Sequence, residues 1–397
     1  MVIGGSVGGL FAALLLRRQG WDVLVFERVP TPLDGRGAGI VTHKQLWRIL
    51  EDLGLDPHND FGVTVRERVT LARDGEIVGT HACPQVMTSW DRVFRMLRAA
   101  LPDEAYVQGA ELAGIDLHAD GVCARFADGR QAEGALLIGA DGVRSSMRAA
   151  LLGSGVGPRY AGYVAWRGLL AEAAMPREAR AALSERFAFC LPPGEQVLGY
   201  PVAGEGNDLQ PGRRRYNFVW YRPADEATAL PDLLTDAEGR THALSIPPPL
   251  IRPAVTAAMR AAAARILAPA FTQVVAATPQ PFLQPIYDFE SPRIAFGRAA
   301  LLGDAAFVAR PHVGAGVTKA AEDAASLARA LAQERDVEAA LRRYEAERRP
   351  VGQRIVRRGR HLGAYLQAQL RSGEEREAAA RHHTPDAVMA ETALLDF

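Results

Sequence analysis

The chain has 397 residues, of which 48% are hydrophobic and 23% charged, an ordinary balance for a soluble globular protein of roughly two to three domains. Basic and acidic residues number 46 each, and a formal net charge of zero argues against a nucleic-acid footprint or a surface for acidic membranes. Three widely spaced cysteines, Cys83, Cys123 and Cys190, exclude a disulfide framework or a zinc site and suit free thiols in a reducing cytoplasm.

In chain order, Met1-Val2-Ile3 reads as a short strand, and its brevity leaves room for native residues ahead of Met1. Gly4-Gly5-Ser6-Val7-Gly8-Gly9 follows, then a helix from about Leu10 to Gln19 and a buried strand Val23–Phe26. The apolar run from Val7 carries its arginines, Arg17 and Arg18, on the wrong side for a signal peptide, and no run is long enough to span a membrane. Thr42 to Leu53 is helical and Gly54 stops it. Val63 to His81 forms two strands about Asp74-Gly75, and Ser89 caps a helix through Ala100. Gly114 to Phe126 alternates about Asp120-Gly121, Asp128-Gly129 turns, and Ala135–Ile138 is again a buried strand.

Beyond Gly155 the texture changes. Tyr163–Leu170, Phe187–Leu191, Gln196–Val202 and Tyr216–Tyr221 are aromatic-bearing strands between Pro- and Gly-rich loops, which implies a mostly antiparallel sheet. Arg252–Leu267 is helical. The strand Ala299–Leu302 runs into Gly303-Asp304, and long helices continue to about Gln369. Residues 371–397 are charged and Pro-containing, and are expected to form a loosely ordered tail.

Three segments carry the chemistry. In the first, Gly4 allows the tight turn, Ser6 stands where the strict dinucleotide pattern has Gly, and Gly9 lets helix and strand pack closely; Glu27 ends the second strand at the right separation for ribose hydroxyls. The Ser6 hydroxyl can donate to a phosphate oxygen while its Cβ costs clearance. In the second, the strand through Ile138 ends at Asp141-Gly142, with Ser145 or Ser146 able to cap a helix; an ordinary turn is an equal reading. In the third, Asp304 follows a buried strand, and Pro311-His312-Val313-Gly314-Ala315-Gly316 opens a helix whose free N–H groups would stabilise negative charge.

In this order the three segments resemble the Gly-rich loop, DG motif and GD motif of the group A flavoprotein monooxygenases, the para-hydroxybenzoate hydroxylase type. Within that group the chain resembles the 2,6-dihydroxypyridine 3-monooxygenases, through the strings Tyr160 to Gly168, Tyr200-Pro201, Asn217 to Tyr221 and Arg310-Pro311-His312. The likeness runs from Val2 to about Leu366.

It implies an α/β fold: a Rossmann-like FAD-binding domain with a parallel sheet and βαβ unit, a mostly antiparallel substrate domain, and C-terminal helices. The FAD domain is placed at 1–62, 88–158 and 285–370, the substrate domain at 63–87 and 159–284, and the tail at 371–397. The resemblance places FAD on Gly4, Gly5, Ser6, Val7, Gly9, Glu27 and Arg28, with Gly39 and Ile40 on its flavin side. Asp141 and Asp304 join them, with Pro311, Gly314, Ala315, Gly316, Val317 and Thr318 at the ribityl chain and ring. The resemblance also implies NADH or NADPH as a transiently bound co-substrate, which the absence of a second dinucleotide fingerprint fits, and dioxygen activated as a flavin C4a-hydroperoxide. The product is a hydroxylated aromatic ring, hydroxypyridine-like or phenolic.

Candidate catalytic residues are His312, Tyr200 and Arg167. His312 reads as a substrate base or, equally, as a hydrogen-bonded structural residue. Arg167 can pair an anionic substrate group or an acidic residue at the domain interface. Trp166, Trp220 and Tyr221 suit packing better than substrate stacking. Lys319 points at the flavin or faces solvent. Trp90 stands where many relatives have a flavin-contacting Arg, Arg310 replaces a more usual Pro, and His43 lies in a varying segment. His382-His383 lacks a third metal ligand at useful spacing, so no metal is expected. The partners are a small aromatic substrate and dioxygen, with no nucleic acid or membrane, and a homodimer stands as an option. Two other functions compete: a tailoring oxygenase of a larger natural product, and a non-enzymatic nucleotide-binding protein that needs only the first motif. A halogenase would carry a WxWxIP string, which is absent.

Overall fold

The computed structural model describes residues 1–33 and 39–395. Its first layer is a six-stranded sheet in the order Ala295–Phe296, Ala299–Leu301, Leu137–Gly139, Val2–Ile3, Val25–Glu27, Tyr106–Gln108. All neighbours are parallel except the edge pair Ala295–Phe296 and Ala299–Leu301. These central strands are two or three residues long and buried on both faces, which explains their unbroken apolar character. The helices Val7–Arg18 and Gly316–Gln333 pack together on this sheet, and the helix Trp90–Ala100 packs on the first of them. Ser89 caps that third helix through the Arg92 N–H, as the sequence implies.

A nine-stranded sheet forms the second layer. Its central ladder runs Phe282–Glu290, Arg159–Ala171, Arg215–Pro223, Gln196–Val202, Phe187–Cys190, and every one of these pairings is antiparallel. The strand Phe187–Cys190 then pairs in parallel with Val63–Leu71, which forms the expected hairpin with Ile77–Ser89. Register separates the aromatics cleanly. Trp166 lies opposite Trp220 and Leu283, and this face is covered by the helices Pro253–Ile266 and Pro269–Ala277. Trp166 and Trp220 are therefore packing residues, and the Trp220 indole N–H is satisfied by Glu195 at 2.8 Å. The alternate positions Arg167, Val219, Tyr221, Leu198 and Tyr200 face the other way, toward the cleft.

The C-terminal segment differs from expectation. Residues 373–391 contain two helices, Gly373–Arg381 with a Ser372–Glu375 capping box and Pro385–Glu391 capped by Thr384. Val388, Met389 and Ala393 are buried in one cluster with Val65, Met87, Phe187 and Tyr200. Charge and proline read as a loose tail because three small apolar contacts give little periodicity; docking on a sheet face orders the segment instead. No helix among the described residues is long and apolar enough to cross a membrane.

Candidate active site

One cleft of about 830 Å³ runs between the two layers, near the top of the ~300–1,000 Å³ range of ligand sites. At one end lies the Gly-rich turn. Gly4 takes φ +105°, open to glycine, and a Cβ there would stand 2.5 Å from the Ala140 carbonyl oxygen. Gly9 is the close-packing position: a Cβ there would lie 1.9 Å from the Gly4 carbonyl oxygen. No side chain caps the helix that follows and no acid stands in its first turn, so its N–H groups and dipole remain directed at the cleft. Glu27 is buried, and its two oxygens accept from Gly5 N at 2.8 Å and Val29 N at 2.9 Å. Each oxygen retains a lone pair for a further donor. The Tyr106 hydroxyl holds the turn from below by donating to the Gly5 carbonyl at 2.9 Å.

Midway along the cleft the second and third motifs meet. Asp141 accepts from the Ser145 hydroxyl at 2.5 Å and the Met147 N–H at 3.1 Å, while Ser145 caps the helix Ser146–Leu152. Desolvation raises the Asp141 carboxyl above the usual range. Arg148, buried, donates to the Ala305 carbonyl at 3.1 Å and so ties this motif to the Gly303-Asp304 turn. Asp304 lines the cleft and pairs with Lys319 Nζ at 3.0 Å; Lys319 also donates to the Phe307 carbonyl. Lys319 thus faces neither open cleft nor solvent, since its side chain is wholly buried beneath Asp304.

Beyond Asp304 the loop Pro311–Val313, with Gly314 and Ala315, leads into the helix Gly316–Gln333, whose first turn again has neither a side-chain cap nor an acid. Across the cleft from this loop stands the wall of Arg167, Tyr200, Tyr221, Leu198, Val219, Phe187 and Phe282. Arg167 donates to the Gln284 side chain at 2.8 Å and forms no ion pair among the described residues, which removes the interface-acid reading. Its Nε is buried with no partner among the described residues. The Tyr200 hydroxyl also has no hydrogen bond among the described residues, and burial pushes it up to about 12 despite the nearby Arg167 charge. It is therefore a donor at neutral pH. Trp90 lines the cleft and stacks on Phe94, with ring centroids 4.8 Å apart.

Four of the residues assigned from the sequence to FAD or to catalysis do not line the cleft: Gly5, Gly9, Thr318 and His312. Gly9 acts behind it, through packing. Thr318 turns inward, 3.0 Å from His43 Nδ1. His312 is the correction with most consequence. It is buried, its Nε2 lies 2.9 Å from the Tyr163 hydroxyl, and its ring packs 4.4 Å from that of Tyr221. Burial, helped by the neighbouring Arg310 charge, pushes the imidazole down to about 3, so the ring is neutral, and it does not border the cleft. Arg310 itself is held by Asp288 at 2.8 Å and Gln367 at 2.7 Å. The remaining positions, Gly4, Ser6, Val7, Glu27, Arg28, Gly39, Ile40, Asp141, Asp304, Pro311, Gly314, Ala315, Gly316, Val317, Arg167 and Tyr200, all border the cleft. Sequence reasoning missed Gln284, Phe187 and Leu198, which strand alternation could have found, and Thr392 and Ala393, for which no local signal exists.

A Gly-rich turn on a parallel sheet, two acidic turns meeting beneath one cleft and an antiparallel aromatic wall opposite define an FAD-dependent hydroxylase fold. Family models described as FAD binding domain-like and FAD binding domain match residues 160–288 and 255–359. The 2,6-dihydroxypyridine 3-monooxygenase of Paenarthrobacter nicotinovorans is 32% identical over 366 residues, 92% of this chain and 91% of its own length. The solved 2,6-dihydroxypyridine-3-hydroxylase of Arthrobacter nicotinovorans superposes with a TM-score of 0.87 at 32% identity, covering 94% of each chain. A Klebsiella pneumoniae protein solved with FAD and uric acid superposes with a TM-score of 0.75 at 26% identity, over 98% of this chain and 90% of its own. The chain belongs to the FAD-dependent aromatic-ring monooxygenases, and FAD is its cofactor. The residues present fit that group: Gly4, Ser6 and the buried Glu27 border the cleft beside one uncapped helix N-terminus, and a second uncapped helix N-terminus at Gly316 borders it too.

Proposed function

We propose that the enzyme hydroxylates a small, electron-rich aromatic ring, hydroxypyridine-like or phenolic, using NADH or NADPH and dioxygen. The observation that carries this reading is the wall of Arg167, Tyr200 and Tyr221 facing the Pro311–Val317 loop across the cleft, set among the apolar side chains Phe187, Leu198, Val219 and Phe282. Bound FAD, reduced by the nicotinamide, supplies the activated oxygen atom. The chain supplies the rest. Glu27 accepts the ribose hydroxyls, the helix beginning at Val7 stabilises the pyrophosphate, and Asp304, held by Lys319, accepts from the ribityl chain. The N–H groups at Gly316 and Val317 stabilise negative charge at the ring edge.

On the substrate side, Arg167 binds a ring oxygen as its anion and Tyr200 donates a hydrogen bond to it, which favours the deprotonated form, whose ring is more electron-rich than that of the neutral hydroxyl. Phe187, Leu198, Val219 and Phe282 exclude water. With His312 outside the cleft lining, the ring hydroxyl gives its proton to solvent before the ring is enclosed, and charge stabilises the resulting anion. The relatives that act on dihydroxypyridine, by their names, support the ring class. The domain division given above and a cytoplasmic location, which three unpaired thiols suit, belong to the same reading. The test is NADH consumption by FAD-loaded protein with and without 2,6-dihydroxypyridine, with the product weighed by mass spectrometry. Stimulated consumption with a product one oxygen heavier is expected. No stimulation by any hydroxypyridine or phenol would refute the ring class.

A further inference from the structure

Arg68 poses a question that the cofactor and substrate sites leave open. It is fully buried in the strand Val63–Leu71, yet it has no carboxylate partner among the described residues. A buried guanidinium is costly unless its donors are satisfied. Here one terminal nitrogen donates to the Met389 carbonyl at 2.6 Å and to the Thr392 carbonyl at 2.7 Å, the other donates to Gln85 Oε1 at 2.5 Å, and Nε has no partner among the described residues. These carbonyls close the helix Pro385–Glu391, so Arg68 acts as its C-terminal cap from another element.

The residue next in line, Ala393, reaches the cleft. Thr392 and Ala393 both line it. The Ala393 N–H donates to the His312 carbonyl at 2.7 Å, and its own carbonyl lies 3.2 Å from Gln85 Nε2 and 3.3 Å from His43 Nε2. His43 in turn meets Thr318 in the first turn of the helix that follows the flavin-facing loop. Ala393 holds φ +56°, a conformation unfavourable for alanine that its surroundings must enforce. Its Cβ sits where Gly314 leaves space: a Cβ added at Gly314 would lie 2.6 Å from it.

We propose that residues 384–395 form a working wall of the active cleft, and that Arg68 is the positioning residue that latches this wall against the Pro311–Gly316 loop. The inference rests on the assignment of that loop to the flavin. The latch holds the loop and keeps bulk water from the reacting ring, so its release diverts reducing equivalents from product to hydrogen peroxide.

The test uses full-length, FAD-loaded R68M, R68K and A393P. A393P removes the N–H bonded to His312 and cannot adopt φ +56°, so it opens the latch at its other end. Amide exchange within 384–395 and 311–318 is measured by mass spectrometry, together with the share of oxidised NADH recovered as peroxide in the presence of 2,6-dihydroxypyridine. In R68M and A393P, exchange across both segments should rise about tenfold. The peroxide share should rise roughly threefold or more, and R68K, which keeps a donor cation, should recover most of the loss. Faster exchange in 384–395 with the 311–318 loop and peroxide share unchanged would overturn the proposal. If R68M does not fold, A393P decides by the same readouts. A wild-type protein inert toward every aromatic compound would fail the hydroxylase reading, and exchange in 311–318 would still decide the latch.

Discussion

Gly8 and Gly9 are adjacent in the sequence but oppositely exposed to substitution, and the contrast tests the cofactor site at its root. In Gly9→Ala the new Cβ would lie 1.9 Å from the Gly4 carbonyl oxygen, where carbon and oxygen normally approach to about 3.3 Å. The helix Val7–Arg18 would have to move by about 1.4 Å from the strand it follows. Overpacking of this kind costs about 2 kcal/mol. Because the helix N-terminus is also the expected pyrophosphate site, a similar loss in FAD binding corresponds to about 30-fold in Kd. In Gly8→Ala the nearest atoms are Leu302 Cδ1 at 3.4 Å and Ala320 Cβ at 3.5 Å, ordinary contacts. Gly8 stands in the first turn of the helix and borders the cleft, so Gly8→Ala should be about as stable as the parent and lose clearly less FAD affinity than Gly9→Ala. The assay is titration of apoprotein with FAD, followed by flavin fluorescence, beside urea unfolding of each variant. Equal loss of FAD in both variants, or parental affinity in Gly9→Ala, would refute the reasoning.

Three other perturbations probe the rest of the site. Arg167→Met should raise the substrate KM by about 10–100-fold, the scale of a lost hydrogen bond to a charged group, with FAD affinity unchanged; Tyr200→Phe should cost about fivefold. Steady-state kinetics with a separate FAD titration check both. Lys319→Met leaves Asp304 unpaired and the Phe307 carbonyl without its donor, so urea unfolding should show a loss of about 1–3 kcal/mol and the variant should shed FAD on gel filtration. His312 supplies the pH prediction. Its folded value is depressed to about 3 from an ordinary 6.5, so the unfolded chain binds more protons in this window. Its contribution is complete above about pH 6.5 and is lost as pH falls toward 3, at up to about 1.4 kcal/mol per pH unit. His312→Gln should show a shallower fall in unfolding free energy between pH 6.5 and 4.5 than the parent. Parallel profiles would contradict the buried neutral imidazole.

The cofactor half of this protein was legible in its sequence because its determinants are local. A tight turn from strand to closely packed helix needs Gly4 and Gly9 at fixed offsets, and a buried parallel strand reads as an unbroken apolar run such as Leu136-Leu137-Ile138. Tertiary structure decided what the sequence could only put forward. Whether His312 faces substrate depends on the direction of one side chain after a proline, and the pocket formed by Tyr163, Tyr221 and Gly363 turned it inward. Lys319 is charged in the sequence and buried in the fold because Asp304, fifteen residues earlier, lies above it. The C-terminal segment looked like a tail because the groups that order it, Arg68, Gln85 and His312, stand far away along the chain. Periodicity and turn chemistry record what a residue does with its near neighbours. The partners of a buried charge and the far wall of a cleft come from contacts between distant segments, and only the folded chain fixes those.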